Sequence, residues 1–419
     1  MRRVAAILLL AVLCGSREAQ AYSVLAHEAN IDALWDSGLR PLLARRFPRA
    51  TRDELAQARA YAYGGAVIQD LGYYPFGSHF FSNLVHYVRS GDFVAALIRE
   101  SHDLDEYAFA LGAVAHYTAD NVGHPEGTNR AVALMYPKLR AKFGDSVTYA
   151  DSPPTHVLVE FSFDVVQAAA GAYVSEMYQS FIGFQVAKPL LERTFASTYG
   201  LEMDDVFLSE DLAIGSYRRA VGSTIPAITR IAWRDKRDEI QKLNPGARQE
   251  QFVFNLSARQ YDQAYGTTYQ KPGLFTRFLA LLYKLVPKIG PLRPLRFETP
   301  TPEAEALFLE SFKGTRERYR SALETLARGR LDLPNTNFDT GEPSQPGDYT
   351  LADDTYYELL QRLTGDKRHP VPAALRDNIN AFYAAAPAMA ASRKERKRAE
   401  QIHKALTLLN TKDTKDTES

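Results

Sequence analysis

Between Leu111 and Asn129 the chain reads LGAVAHYTADNVGHPEGTN, which sets His116, Asp120 and His124 at four-residue steps. On a helix, side chains four apart share one stripe, turn above turn. The run that leads into the triplet is apolar, and an apolar stripe needs neither imidazole nor carboxylate. Two readings stand at this point: a buried hydrogen-bond ladder, or part of a metal site whose other members lie elsewhere.

The distribution of histidine bears on the choice. Seven of the nine histidines fall between His27 and His156. His156 and Glu160 form a second four-step pair in HVLVEF. Asp70 closes the run YGGAVIQDLGYY, His86 lies in SNLVHYVRSGD, and His79 precedes it in GSHFF. Neutral imidazole with carboxylate is the ligand set that suits zinc where no thiolate is present. A single such pair is ordinarily a satisfied core histidine with its partner. Burying this many ionisable groups without a counter-charge is costly, and divalent cations would supply one. On the residues alone, a multinuclear metal site is the favoured reading.

The elements that must position these groups read as helices. Arg52–Ile68, Asp92–Arg99, Leu104–Ala119 and His156–Gly171 are rich in Ala, Leu, Glu and Arg, with apolar residues at three- and four-residue steps. Alternating strand-like runs are few. Gly72–Gly77, Asp151–Pro154 and Asp339–Asp348 carry the Gly and Pro signals of loops, and Asp151 or Ser152 is placed to open the helix that bears His156. No internal repeat is evident. The expectation is an all-α, multi-helical protein.

The first 21 residues read differently. Arg2 and Arg3 precede the apolar run Val4–Leu13, and Ala19-Gln20-Ala21 offers small residues at a cleavage point. This is the pattern of a signal peptide cut after Ala21, so a secreted or periplasmic protein beginning at Tyr22 is expected. Cleavage would remove Cys14, the sole cysteine, and leave no disulfide or thiolate ligand. Taking Arg2, Arg3, Arg17 and Glu18 from 50 basic and 50 acidic residues leaves 47 against 49. A nearly neutral chain gives no strong positive field for nucleic acid.

Two later segments stand apart. Gln263–Phe297 holds no acidic residue, and within 271–297 Lys and Arg are interleaved with Leu, Phe, Tyr and Val. It reads either as a buried helix with basic ends or as an amphipathic helix lying on an anionic membrane surface. The end of the chain, from Ser392, is a charged helix running into a polar tail, most simply a solvated face.

The constellation of Tyr22, His27, Asp70, His86, His116, Asp120, His124, His156 and Glu160 resembles the zinc-dependent phospholipase C family, whose helical fold is shared with the zinc single-strand nucleases. The resemblance implies about three zinc ions held by the free N-terminal residue, five histidines, two aspartates and one further carboxylate. Tyr22 would give its amine and carbonyl, where the family usually has tryptophan. Asp70 matches the bridging aspartate, His116 and Asp120 the central His-x-x-x-Asp pair, and His156 with Glu160 the closing pair. His86, sixteen residues after Asp70, is the preferred match for the remaining ligand, and His79 is the alternative. The step from Asp120 to His124 looks more like the glycosylphosphatidylinositol-cleaving phospholipases than the secreted bacterial ones. Asp164, four residues beyond Glu160, would support the ligands from outside or face solvent.

The resemblance covers about Tyr22 to Val166. A catalytic domain over 22–240 is expected from it, followed by a helical extension over 241–419 that the resemblance does not reach and that includes the basic segment and the tail. It further implies phosphodiester hydrolysis by a zinc-bound water, with Asp70 bridging metals and orienting or deprotonating that water. The leading reading is a phospholipase C acting on a phospholipid at a membrane surface. The alternatives are a single-strand nuclease on the same framework, with nucleic acid as its substrate, and a non-catalytic helical metal-binding protein. Nothing in the sequence points to a protein partner.

Overall fold

The computed structural model describes residues 24–169, 185–219, 299–365, 370–385 and 392–411, with a few isolated positions between 237 and 245. The leader, Tyr22 and the basic segment 271–297 lie outside the described residues. Within them the regular elements are helical and there is no strand. The helices that matter most are α1 (Val24–Leu34), α2 (Arg52–Val67), α3 (His79–Tyr87), α4 (Ser90–Glu100), α5 (Leu104–Val122) and α6 (Pro153–Ala169). They are followed by α7 (Lys188–Tyr199), α8 (Pro302–Ala327), α9 (Thr350–Thr364) and α10 (Arg393–Asn410). No described helix is long and apolar enough to cross a membrane.

Helix α5 is the axis of the molecule. Every residue from Glu106 to Asp120 is buried, the signature of a helix surrounded by others. Its start is fixed by the Asp103 carboxylate, which accepts the backbone N–H of Glu106 at 2.8 Å. Helix α2 begins with a full capping box between Thr51 and Glu54.

These two helices meet backbone to backbone. A Cβ on Gly65 would stand 1.8 Å from the Phe109 carbonyl oxygen, and one on Gly112 would stand 2.0 Å from that of Ala62. Only glycine permits this approach. Asp32 on α1 is bound by the Arg59 guanidinium and the Tyr63 hydroxyl of α2, which ties α1 to the same pair.

The stripe of His116, Asp120 and His124 does not lie on one regular helix. α5 ends at Val122, and Gly123–Thr128 forms a wider π-helical turn. Pro125 has no N–H to return to the Asn121 carbonyl, so the α-helical ladder cannot continue through it.

The segment set apart after residue 240 supplies part of the core. Phe308, Tyr319 and Leu323 of α8 join the same buried cluster as α5, and the Tyr319 hydroxyl donates to the Leu111 carbonyl at 2.9 Å. Phe308 also stacks on Phe163 of α6, with ring centroids 4.6 Å apart. By contrast α10 buries only Ala405 and Leu409 and presents its charges to solvent.

Gly65→Ala or Gly112→Ala is expected to force α2 and α5 apart and to cost about 1–3 kcal/mol of stability or more. Urea unfolding measures this; a midpoint unchanged in both variants would contradict the close crossing.

Candidate metal centre

Six elements bring the predicted side chains together. α1 carries His27, a 3-10 turn over Ile68–Tyr73 carries Asp70, and α3 carries His86. α5 carries His116 and Asp120, the π turn carries His124, and α6 carries His156 and Glu160. All eight are buried. They form three groups able to hold a metal ion, the first two sharing His116: His27, His116 and Asp120; Asp70, His86 and His116; and His124, His156 and Glu160.

The spacings carry the chemistry. Two ligand atoms about 2.0–2.1 Å from one tetrahedral ion stand about 3.3 Å apart. His86 Nε2 lies 3.3 Å from Asp120 Oδ2, 3.4 Å from Asp70 Oδ1 and 3.4 Å from His116 Nε2. His116 Nε2 is 3.2 Å from Asp120 Oδ2, and His27 Nε2 is 3.5 Å from Asp120 Oδ1. The third group is less regular, with His156 Nδ1 at 2.7 Å and His124 Nδ1 at 3.8 Å from Glu160 Oε1.

The outer nitrogens of three rings are pinned, which fixes what the inner ones can do. His86 Nδ1 donates to the Ser82 carbonyl at 2.7 Å, and His116 Nδ1 to that of Ala66 at 2.9 Å. Both therefore turn an Nε2 lone pair inward. Asn129 donates its amide N–H to the Asp339 carbonyl, so its oxygen accepts His156 Nε2 at 2.6 Å and leaves His156 Nδ1 facing Glu160. Asp70 Oδ1, both oxygens of Asp120, both of Glu160 and His156 Nδ1 are buried without a hydrogen bond. Inward lone pairs and bare carboxylate oxygens at ligand spacing fit zinc.

Electrostatics tell the same story in terms of protons. Burial alone would lower the pKa of His86, yet the neighbouring Asp120 and Asp70 carboxylates carry it up to about 9. Burial raises Asp70, and raises Glu160 well above the usual carboxylate range. Burial also presses on Asp120, but the His116 and His124 imidazoles hold it well below that range. Burial lowers His156.

Of the remaining predicted residues, Tyr22 lies outside the described residues. His79 opens α3, half-buried, with its ring 5.8 Å from Tyr73, and His86 rather than His79 faces Asp70 and Asp120. Asp164 is buried and accepts the backbone N–H groups of Leu25 at 2.9 Å and Ala26 at 3.1 Å. It thereby anchors the first turn of the helix that presents His27.

Two residues escaped the sequence reading. Asp339, in the Gly- and Pro-marked loop, places Oδ1 3.2 Å from His124 Nδ1. Asn129, just past the π turn, sets the tautomer of His156. A lone Asp or Asn in a polar stretch has no periodic signal, although the placement of Asn129 five residues after His124 was open to suspicion.

Residues 32–208 match the family described as zinc dependent phospholipase C. That range contains every described residue of the three groups except His27, and it ends well before Asp339. No curated protein and no solved structure matches the chain.

In chelated protein, protons on the imidazoles are the remaining counter-charge. His86 has a folded pKa above its unfolded value, so its contribution is complete below about pH 6.5 and is lost as pH rises through about 9. Metal competes with those protons, so loading gains from the same rise. The thermal midpoint of chelated protein is therefore expected to fall between pH 6.5 and 9, and the increment from added zinc to widen. Calorimetry of both forms is the check, and a chelated protein as stable at pH 9 as at 6.5 would contradict it.

Proposed function

We propose, from the premise that residues 32–208 are a zinc-dependent phospholipase C family domain, that this protein is an exported phospholipase C with three zinc ions. The observation that carries the reading is the set of buried imidazole nitrogens standing 3.2–3.5 Å from the two carboxylate oxygens of Asp120. The family acts on phospholipids, and the substrate proposed here is a phospholipid presented at a membrane surface. Bound zinc supplies positive charge to the phosphate oxygens and acidifies a water.

The protein's own contribution is placement. Asp70 reaches towards both groups on the α5 side, with Oδ1 3.4 Å from His86 Nε2 and Oδ2 3.9 Å from His27 Nε2. From there it can orient the attacking water and accept its proton. The carbonyls of Ser82 and Ala66 hold His86 and His116 in the tautomer the site needs. Asp164 holds the first turn of α1, which begins two residues after Tyr22 in the chain. Export follows from the same idea, since removal of the leader after Ala21 would create that amine.

Two experiments test this. Mature protein should release diacylglycerol and a phosphorylated headgroup from phosphatidylcholine or phosphatidylinositol in a chelator-sensitive way, and Asp70→Asn should lower kcat about 10²–10⁴-fold. Turnover of single-stranded DNA instead would favour the nuclease, and no zinc-dependent turnover on any of them would contradict a hydrolase. Separately, a chain starting at Tyr22 should hold more zinc than one with an extra residue before it; equal occupancy would sink the role of the terminal amine.

A further inference from the structure

Asp339 belongs to none of the positions that the resemblance implies, and it lies 131 residues beyond the end of the family match at 208. Its carboxylate is 3% exposed, yet its two oxygens are treated differently. Oδ2 accepts the backbone N–H of Tyr149 at 2.8 Å and the hydroxyl of Tyr349 at 2.7 Å. Among the described residues Oδ1 faces only the two imidazoles, with His124 Nδ1 3.2 Å away and His156 Nε2 3.8 Å away. A buried anionic oxygen with so few partners is expensive. Here it is held in that state by the two bonds on its partner oxygen.

The distance from His124 matches the edge of a tetrahedral zinc site, about 3.3 Å. It also matches the spacings around Asp120, where the family places its ions. We propose that Asp339 Oδ1 is a fourth protein ligand of the ion held by His124, His156 and Glu160. The proposal rests on the metal reading above, but not on which phosphodiester is cleaved.

The loop that delivers Asp339 is fastened over the centre at several points. Ser90 Oγ donates to the Thr336 carbonyl at 2.6 Å, and Thr336 Oγ1 donates to Asn121 Oδ1 at 2.7 Å. The Phe338 N–H donates to the His86 carbonyl at 3.2 Å, and the Phe338 ring rests edge-on against the His86 imidazole, centroids 5.0 Å apart. The cavity left between this loop and His86, His124 and Tyr73 is about 10 Å³, roughly the space of one water. Four protein ligands make a closed position, whereas a reactive zinc keeps one open. Were zinc bound there, a phosphate group would have to compete with Asp339 for a coordination place or be accepted as a fifth ligand.

The test compares full-length parent, Asp339→Asn, Asp339→Glu and Tyr349→Phe, each first checked for helical content. Zinc affinities are read by competition with a chelator, and coordination by the visible spectrum of the cobalt-loaded protein. Asp339→Asn is expected to weaken one zinc at least about tenfold, to leave the others unchanged, and to alter the cobalt spectrum. Asp339→Glu, which retains a carboxylate, is expected to recover part of both, and it carries the test if the Asn variant does not fold. Tyr349→Phe removes a bond to Oδ2 but leaves Oδ1, and is expected to keep the parent's cobalt spectrum. Affinities within twofold of the parent in Asp339→Asn, or a spectrum altered equally by Tyr349→Phe, would overturn the proposal. A parent that takes up no zinc would overturn the metal reading itself.

Discussion

Everything in this molecule turns on an electrostatic debt at its centre. Asp70, Asp120 and Glu160 are buried beside inward-facing imidazole nitrogens, and several of their oxygens have no hydrogen bond. Such a set is stable only with positive charge among its members. Protons can provide it in part, as the raised pKa of His86 indicates. Divalent ions provide it fully, and the 3.2–3.5 Å spacings around Asp120 are those of ligands sharing an ion.

The scaffold answers that need with rigidity at short range. The glycine contact between α2 and α5 brings the Ala66 carbonyl to His116 Nδ1 and so selects its tautomer. The π turn after Val122 carries His124 to a place where its two ring nitrogens face Asp120 on one side and Glu160 with Asp339 on the other. Asp164 sits on the same helix as His156 and Glu160 and holds the first turn of α1. One helix thus supplies two candidate ligands and the anchor for a third.

Much of this was legible in the sequence, because helical periodicity converts spacing into geometry. The four-step pairs His116–Asp120 and His156–Glu160 each place two candidate ligands on one face without help from tertiary structure. Asp70 and His86 were legible only through a resemblance, since their distance in the chain says nothing about distance in space. The π turn was missed because three residues at four-residue steps look the same in sequence whether or not Pro125 widens the last step. Asp339 was missed for a deeper reason. It reaches the centre from a loop whose turns are fixed by local bonds, such as the Asp339 N–H to Asn337 Oδ1 at 2.9 Å, and such loops carry no period. Its partner Tyr349 and its target His124 are contributed by elements far apart in the chain.

The extension after residue 240 therefore cannot be regarded as an appendage. α8 closes the core around α5, and the loop before α9 places a carboxylate and an aromatic ring on the centre. The central claim is that these buried groups are zinc ligands. Crystals of the mature, zinc-loaded protein, measured at the zinc absorption edge, address it most directly. The account predicts three anomalous peaks, each about 2.0–2.2 Å from its ligand atoms: one by His27 and Asp120, one by Asp70, His86, His116 and Asp120, and one by His124, His156 and Glu160. A fully loaded protein with no peak among these residues would contradict it.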